Sequence, residues 1–495
     1  MYIMQFINGE EREQTVLFPE RIEDYVGADN TVRVIDAYIN GLDLEMLEFK
    51  RYQPEKTGRP PYDPKDLLKL YIYGYMNRIR SSRRLENESK RNLELIWLLR
   101  KLSPDHKTIA NFRKNNTKAL KNVFRDFVKL CDELDLFGKE LVAIDGSKFK
   151  AVNSKDNNFT KGKVDDRIKR INEKINEYLK ELDNTDTKED EVETNKSAEE
   201  IQKIIKELTE RKAVYQEYKK EMEESGETQK SLTDDESRLM LANGKMDVCY
   251  NVQTAVDSKN KLIAEFEVTN CANDMNQFTP MMEKVQDILE TKSIAGAGDA
   301  GYASASDIAS AVQLGVDVHV AGTDYDICVP AKDGEEVPEI TTHNNGRCVY
   351  VKDRNIVICP MGKILYPKHY KKEKGEAEFS NMEACNSCTC RCTKENRSFR
   401  YRFVMSQSDF SKDYDDKDLA VKQIHIKPKK EIYDQRKSLS EHPFGTIKRS
   451  MDAGYCLLKG KRKVTAEFSL IFLAYNFKRI INIIGNKELM KKLAS

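Results

Sequence analysis

The sequence predicts an α/β protein in which a mixed-sheet core follows an all-helical segment and is interrupted by two insertions. Three observations carry that prediction. Strand-like runs recur from Leu141 to about residue 320 and alternate with helical patterns, whereas residues 1–135 show helical periodicity alone. One stretch inside the core is dominated by Lys, Glu, Asp and Asn, and another holds clustered cysteines.

At 495 residues the chain is long enough for several domains and a large core. A third of its residues are charged, but the formal net charge is +1, so no global field marks a polyanion partner. The distribution says more: from Arg51 to Lys129 there are twenty Lys or Arg against eight Asp or Glu, a local excess of twelve positive charges. That segment reads as a polyanion-binding module. No apolar run reaches about 18 residues, and the start "MYIMQFINGEEREQ" turns acidic too soon for a signal peptide, so a soluble cytoplasmic protein without a membrane partner is expected. Eleven cysteines, several of them clustered, then point to metal binding rather than to disulfides.

In residues 1–135, "NTVRVIDAYINGLDLEML" reads as an amphipathic helix. After the turn-rich "YQPEKTGRPPYDP", helical patterns fill "KDLLKLYIYGYMNRIRSSRRLENESKRNLELIWLLR" and "DHKTIANFRKNNTKALKNVFRDFVKLCDEL". Asp66 is the expected cap of the first of these, and Ser103-Pro104-Asp105 punctuates before the second. Trp97 is expected in the core of this helix-turn-helix-like module.

The core begins in residues 136–160 with "LVAIDGSKFKAVN". The run Leu141–Ile144 suits a strand buried on both faces, with Asp145 at its tip and Gly146 allowing a turn. Residues 161–245 read as a charged helical hairpin insertion, with Ile171, Ile175, Tyr178 and Leu179 at helical spacing and Ile201, Ile204, Ile205 and Leu208 likewise. The core resumes over 246–325: "YNVQTAVDS" and "KLIAEFEVTN" as a hairpin, then a helix, "SIAGAGDAGYAS", a second helix and the short strand "VDVHVAG". With the hairpin set aside the order is β, β, β, α, β, α, β. That order matches a ribonuclease-H-like core, a mixed five-stranded sheet of order 3-2-1-4-5. Residues 326–425 form the cysteine-containing insertion, and 426–495 return as a C-terminal helical part of the core.

In such a sheet Asp145 and Asp299 end neighbouring parallel strands. Gly296, Gly298 and Gly301 would leave room for a metal ion and a phosphate, and paired carboxylates suit a hard cation such as Mg²⁺. The third acid is sought in "YDQRKSLSEHPFGTIKRSM", where Glu441 and Lys448 are two helical turns apart; Ser440 as N-cap would place Pro443 in the first turn, where proline is tolerated. Among the cysteines, Cys385 and Cys388 have knuckle spacing, and Cys359 and Cys392 would complete a structural zinc site, with Cys390 as an alternative ligand. Cys131, Cys249, Cys271 and Cys456 read as small core or half-buried residues.

With these residues in view, the chain resembles the DDE transposases of bacterial insertion sequences, and among them the subgroup with a Tyr, Arg, Glu, Lys signature. The motifs that carry the resemblance are "GRPPYDPKDLLKLYIYGY", "SPDHKTIANFRKNN", "AIDGSKFKA", "SRLMLANGKMDVCYNVQTAVD", "GDAGYAS", "EHPFGTIKR" and "FSLIFLAYNFKRI". The resemblance implies that Asp145, Asp299 and Glu441 are a catalytic triad holding two Mg²⁺ or Mn²⁺ ions. It implies that Tyr433, Arg436 and Lys448 contact transposon-end DNA. Four residues separate Arg436 from Glu441 where the commoner pattern has three, so a fresh helix start at Pro443, or a turn carrying Arg436, is expected. The helical module would bind terminal inverted repeats through Arg78, Arg80, Arg83, Arg84, Lys107, Arg113 and Lys114. The implied partners are double-stranded DNA, as element ends and as target, and a second copy of the chain in a synaptic homodimer on the bacterial nucleoid. Two other functions fit the same residues: a nuclease of this fold without strand transfer, and a DNA-binding regulator with an inactive triad.

Overall fold

The computed structural model describes residues 21–50, 60–186, 198–242, 244–323, 325–330, 340–343, 348–359, 363–387, 398–416 and 421–494. They belong to two compact units, residues 1–122 with 473–495 and residues 123–472.

The described part of the first unit is helical: α1 (Thr31–Gly41), α2 (Pro64–Met76), α3 (Ser82–Arg91), α4 (Leu93–Leu98) and α5 (His106–Asn115). The cap of α2 is Asp63, which accepts from the Lys65 amide and puts Pro64 in the first turn. Asp66, expected as that cap, instead lies inside the helix, buried against Lys69 and Arg100. Burial raises its carboxyl pKa, and the two cations oppose the rise. Asp105 caps α5 by accepting from the Lys107 and Thr108 amides. Tyr71 and Phe49 stack on Phe112 with ring centroids 6.0 and 5.8 Å away. Trp97 is half-buried rather than core: its indole N–H donates to Glu23, and the Arg33 guanidinium lies 4.8 Å from the ring centroid.

Helix α6 (Thr117–Glu133) leads in sequence to β1 (Leu141–Lys150). A short strand β2 (Asn158–Thr160), the long pair α7 (Lys161–Asp186) and α8 (Ala198–Glu224), and β3 (Gln229–Ser231) follow. At the base of this hairpin Phe159, Val164 and Met222 form a small core flanked by Tyr215 and Tyr218. The main sheet then completes itself with β4 (Arg238–Ala242), β5 (Lys245–Asp257), β6 (Ile263–Thr269), α9 (Phe278–Ile288), β7 (Ile294–Gly298), α10 (Ala305–Gln313) and β8 (Val316–Val320).

The sheet is mixed. β1 pairs antiparallel with β5 from Val142↔Asp257 to Lys150↔Cys249, and parallel with β7 only from Leu141↔Ala295 to Ala143↔Ala297. β7 pairs parallel with β8, while β5 also carries β6 and β4. A mixed sheet packed with helices is compatible with a ribonuclease-H-like core. Gly296 and Gly298 serve packing rather than an ion or phosphate. A Cβ on Gly296 would stand 2.8 Å from Phe278 Cζ on α9, and one on Gly298 would stand 3.2 Å from Tyr302 Cδ2. On the core side Phe149 meets Phe468 edge-on at 4.7 Å, and Phe266 meets Phe472 at 4.7 Å.

The region of clustered cysteines holds a second sheet that the sequence did not announce. Strand β9 (Tyr325–Pro330) precedes a six-stranded antiparallel meander of β10 (Ile340–His343), β11 (Cys348–Val351), β12 (Ile356–Ile358), β13 (Ile364–Lys371), β14 (Glu376–Ser380) and β15 (Arg400–Val404). Its core gathers Tyr350, Phe379, Tyr401 and Phe403. The short helices α11 (Met382–Asn386) and α12 (Gln407–Phe410) flank β15, and β16 (Val421–Ile426) returns to pair with β9. Helix α13 (Lys430–Gly445) then runs into a π-helical turn, Thr446–Ser450, before α14 (Lys461–Ile484).

Candidate active site

Asp145 stands in the middle of a strand, not at its end, because β1 continues to Lys150 along β5. What ends beside it is β7. Its pairing with β1 stops at Ala143↔Ala297, and two residues later Asp299 caps a 3-10 turn, Ala300–Tyr302, by accepting from the Gly301 amide at 2.8 Å. The space left where β7 turns away is where the two acids approach each other. Burial, and next the like charge of Asp299, push the Asp145 carboxyl up to about 6 from an ordinary 3.8. Arg436, Ser440 and the Gly146 amide pull the other way. The Ser440 hydroxyl is near enough to favour the charged form, yet it is buried and makes no hydrogen bond of normal geometry.

The third predicted acid arrives on α13. Leu439 of this helix packs with Leu141, Ala143 and Ala297, which seats it on β1 and β7. Arg436 and Ser440, four residues apart and so on one face, act on Asp145. Glu441 is exposed and lines a cavity of about 420 Å³ together with Asp145, Ser147, Phe444, Gly445, Lys448 and Arg449. Two expectations for this segment are corrected. Ser440 is no N-cap, and α13 does not restart at Pro443. The proline lies inside the helix three residues before the π-helical turn, which takes up the irregularity at the end where fewest helical bonds depend on it.

Lys448, on the π-helical turn, is tied to the core. Its ammonium donates to Ser147 Oγ at 2.6 Å and to the Lys148 carbonyl at 3.3 Å, and it lies 4.6 Å from the Phe149 ring centroid. Burial lowers its pKa. Arg436 lies over Tyr433, 5.3 Å from the ring centroid, and its Nε is buried without a hydrogen-bond partner.

The donors are of the right kind for a hard divalent cation: a half-buried pair of carboxylates whose mutual repulsion a cation would relieve, and Glu441, which shares a cavity with Asp145. Among the described residues, however, no three His, Cys, Asp or Glu side chains are gathered closely enough to hold a metal ion. Of the expected zinc ligands, Cys359 is half-buried, and Cys385 is buried with its sulfur accepting from the Phe399 amide at 3.4 Å. Cys388, Cys390 and Cys392 lie outside the described residues. Cys131, Cys249 and Cys456 are buried and Cys271 is exposed.

In the helical unit Arg78, Arg83, Arg84, Lys107 and Lys114 are exposed. Arg80 and Arg113, expected on the same surface, are instead 6% and 5% exposed. Arg113 donates to the Tyr75 hydroxyl at 2.6 Å and lies 5.5 Å from the Tyr71 ring centroid, so its charge is used inside the unit.

Sequence reasoning missed Asp274. An acid four residues before a helix reads as a capping residue, and the Gln277 amide does donate to its carbonyl. Its side chain is turned toward β1 and β5 instead.

Two family models match parts of the chain. Residues 20–115 match the family model described as Transposase domain (DUF772), and residues 358–481 match the one described as Transposase DDE domain. The chain is thus a transposase with a DDE domain. Both matches, in this order on one chain, support a DDE transposase of an insertion sequence. Neither a curated protein nor a solved structure matches it. Among the described residues no single helix is long and apolar enough to cross a membrane.

Proposed function

We propose that this transposase binds the terminal inverted repeats of its element, cleaves the strands there by metal-dependent hydrolysis, and joins the freed 3′-OH ends to target DNA. The observation that carries the proposal is that Asp145, whose carboxyl feels the charge of Asp299, shares a cavity with Glu441. Asp145, Asp299 and Glu441 are the catalytic acids and hold Mg²⁺ or Mn²⁺. Two such ions about 3.5–4 Å apart activate a water or a 3′-hydroxyl and stabilise the leaving oxygen of an in-line displacement.

The chain's own groups position and neutralise. The α13 helix delivers Glu441 to the cavity, and its exposure leaves it free to turn toward the other acids when ions enter. Arg436, half-buried with Tyr433 beneath it, offers its positive charge to a DNA phosphate. Lys448 fixes the outer half of β1 through Ser147 and the Lys148 carbonyl, while Arg449 supplies positive charge to the cavity rim. The exposed Arg78, Arg83, Arg84, Lys107 and Lys114 bind the phosphates of the element ends, and two copies of the chain bring two ends together. The core and its order of strands are those of a ribonuclease-H-like enzyme, in the bacterial cytoplasm.

The test is incubation of the purified chain with a labelled fragment bearing the repeats that flank its gene, in Mg²⁺ and in Ca²⁺. Cleavage and joined products are expected in Mg²⁺ alone, and neither is expected from Asp299→Asn or Glu441→Gln. Cleavage without joined products reduces the reading to that of a nuclease. Cleavage that survives both substitutions contradicts it.

A further inference from the structure

The loop between β6 and α9 carries one more acid at this site. The Asp274 side chain is 18% exposed and lies against Gly146, the residue after Asp145. A Cβ on Gly146 would stand 2.4 Å from Asp274 Oδ1 and 2.4 Å from Gln253 Nε2. No turn requires this glycine, since Gly146 is in mid-strand and paired with Gln253. It is there because a side chain would displace the carboxylate.

Asp274 Oδ1 accepts from Asn251 Nδ2 and Gln253 Nε2, both at 2.7 Å, and Lys148 Nζ reaches Oδ1 and Oδ2 at 3.1 and 3.2 Å. Gln253 Oε1 in turn accepts from the hydroxyl of Tyr302, which is fully buried on the turn that Asp299 caps. From the other direction, a Cβ on Gly301 would be 2.9 Å from Asp299 Oδ1 and 3.7 Å from Asp274 Oδ2. One carboxylate therefore ties the strand of Asp145, through Lys148, to the turn of Asp299, through Gln253 and Tyr302. A single ion pair with Lys148 would need neither amide donor, and neither would a helix cap.

We infer that Asp274 is a positioning residue that fixes Asp145 relative to Asp299 and thereby sets the affinity of that pair for a divalent cation. The inference rests on the proposal that these two acids hold the ion. Partners that orient metal ligands from outside typically govern affinity by about 10- to 100-fold. An amide in place of the carboxylate removes the charge that holds Lys148 and sets its N–H₂ against that ammonium at the Oδ2 position, so the tie to the strand of Asp145 opens without any change of volume. A methyl on Gly146 opens it from the opposite side.

The experiment measures Mn²⁺ binding to the full chain by electron paramagnetic resonance of the free ion, with near-ultraviolet circular dichroism as the check on folding. Asp274→Asn and Gly146→Ala are each expected to weaken Mn²⁺ about tenfold. The double variant is expected to bind no more weakly than the weaker single, because both act on one brace. Tyr302→Phe, which removes only the far end of the brace, is expected to weaken binding about threefold and carries the test should Asp274→Asn not fold. Asp145→Asn is the reference. If it abolishes binding while the brace variants bind Mn²⁺ as the unsubstituted chain does, the role of Asp274 is overturned and the ion site stands. If Asp145→Asn removes no Mn²⁺ binding, the ion site itself is overturned, and the role of Asp274 with it.

Discussion

Replacing Asp145 by Asn makes the protein more stable at neutral pH. The native carboxyl titrates at about 6 against an ordinary 3.8, so between those values the native state binds more protons than the unfolded chain. Stability contributed by this group is fully present below pH 3.8 and is lost as pH rises through 6. A rise of roughly two units corresponds to about 3 kcal/mol at pH 7 and above. Asn carries no charge to desolvate and does not repel Asp299, so the variant escapes the cost. The variant should exceed the parent by about 2–3 kcal/mol at pH 7.5 and equal it near pH 3.5. Urea unfolding at the two pH values measures the difference, in which the other raised carboxyls, Asp66, Asp234, Asp257 and Asp307, cancel. Saturating Mg²⁺ should recover the loss in the parent, by about 2.7 kcal/mol at a hundredfold excess over Kd, and do little for the variant. A variant no more stable than the parent at pH 7.5, with the same pH slope between 4 and 6.5, refutes the reasoning.

Other perturbations separate packing from recognition. Phe468→Ala removes a fully buried ring that packs on Phe149 and Phe472, and should cost about 3–5 kcal/mol in chemical denaturation; a cost below about 1 contradicts the placement of β1 on α14. Arg84→Ala should lower the slope of log affinity against log salt for element-end DNA by about 0.9 for its one phosphate contact and leave the melting temperature unchanged. Arg113→Met should do the reverse: it loses the bond to the Tyr75 hydroxyl and destabilises by about 1–3 kcal/mol, with the salt slope unaltered.

Elements whose signal is local were legible in the sequence. The run Leu141–Ile144 is buried on both faces and reads so, and the helical hairpin shows its period in Ile171 and Ile201. What escaped depends on contacts between distant segments. An Asp followed by Gly reads as a turn, yet Gly146 answers to Asp274, 128 residues on. Gly296 and Gly298 look like room for a ligand and are room for α9 and for Tyr302. Arg80 and Arg113 cannot be told from their exposed neighbours by type or spacing, since only packing withdraws them from the surface. The second sheet was hidden because its strands are short and one is broken by an irregularity between Pro367 and His369, while the cysteines beside it suggested a metal knuckle. The unusual spacing of Arg436 and Glu441 was visible, but its resolution was not. Arg436 pairs in direction with Ser440, and a π-helical turn brings Lys448 back to β1.

The central claim is that Asp145, Asp299 and Glu441 share bound cations. It is tested most directly by loading the chain with Fe²⁺ in place of Mg²⁺, generating hydroxyl radicals with ascorbate and peroxide, and mapping the backbone breaks. Breaks clustered near residues 145, 299 and 441 together, suppressed by excess Mg²⁺, are the predicted result. Breaks that spare the segment around 441, or that Mg²⁺ does not suppress, would contradict it.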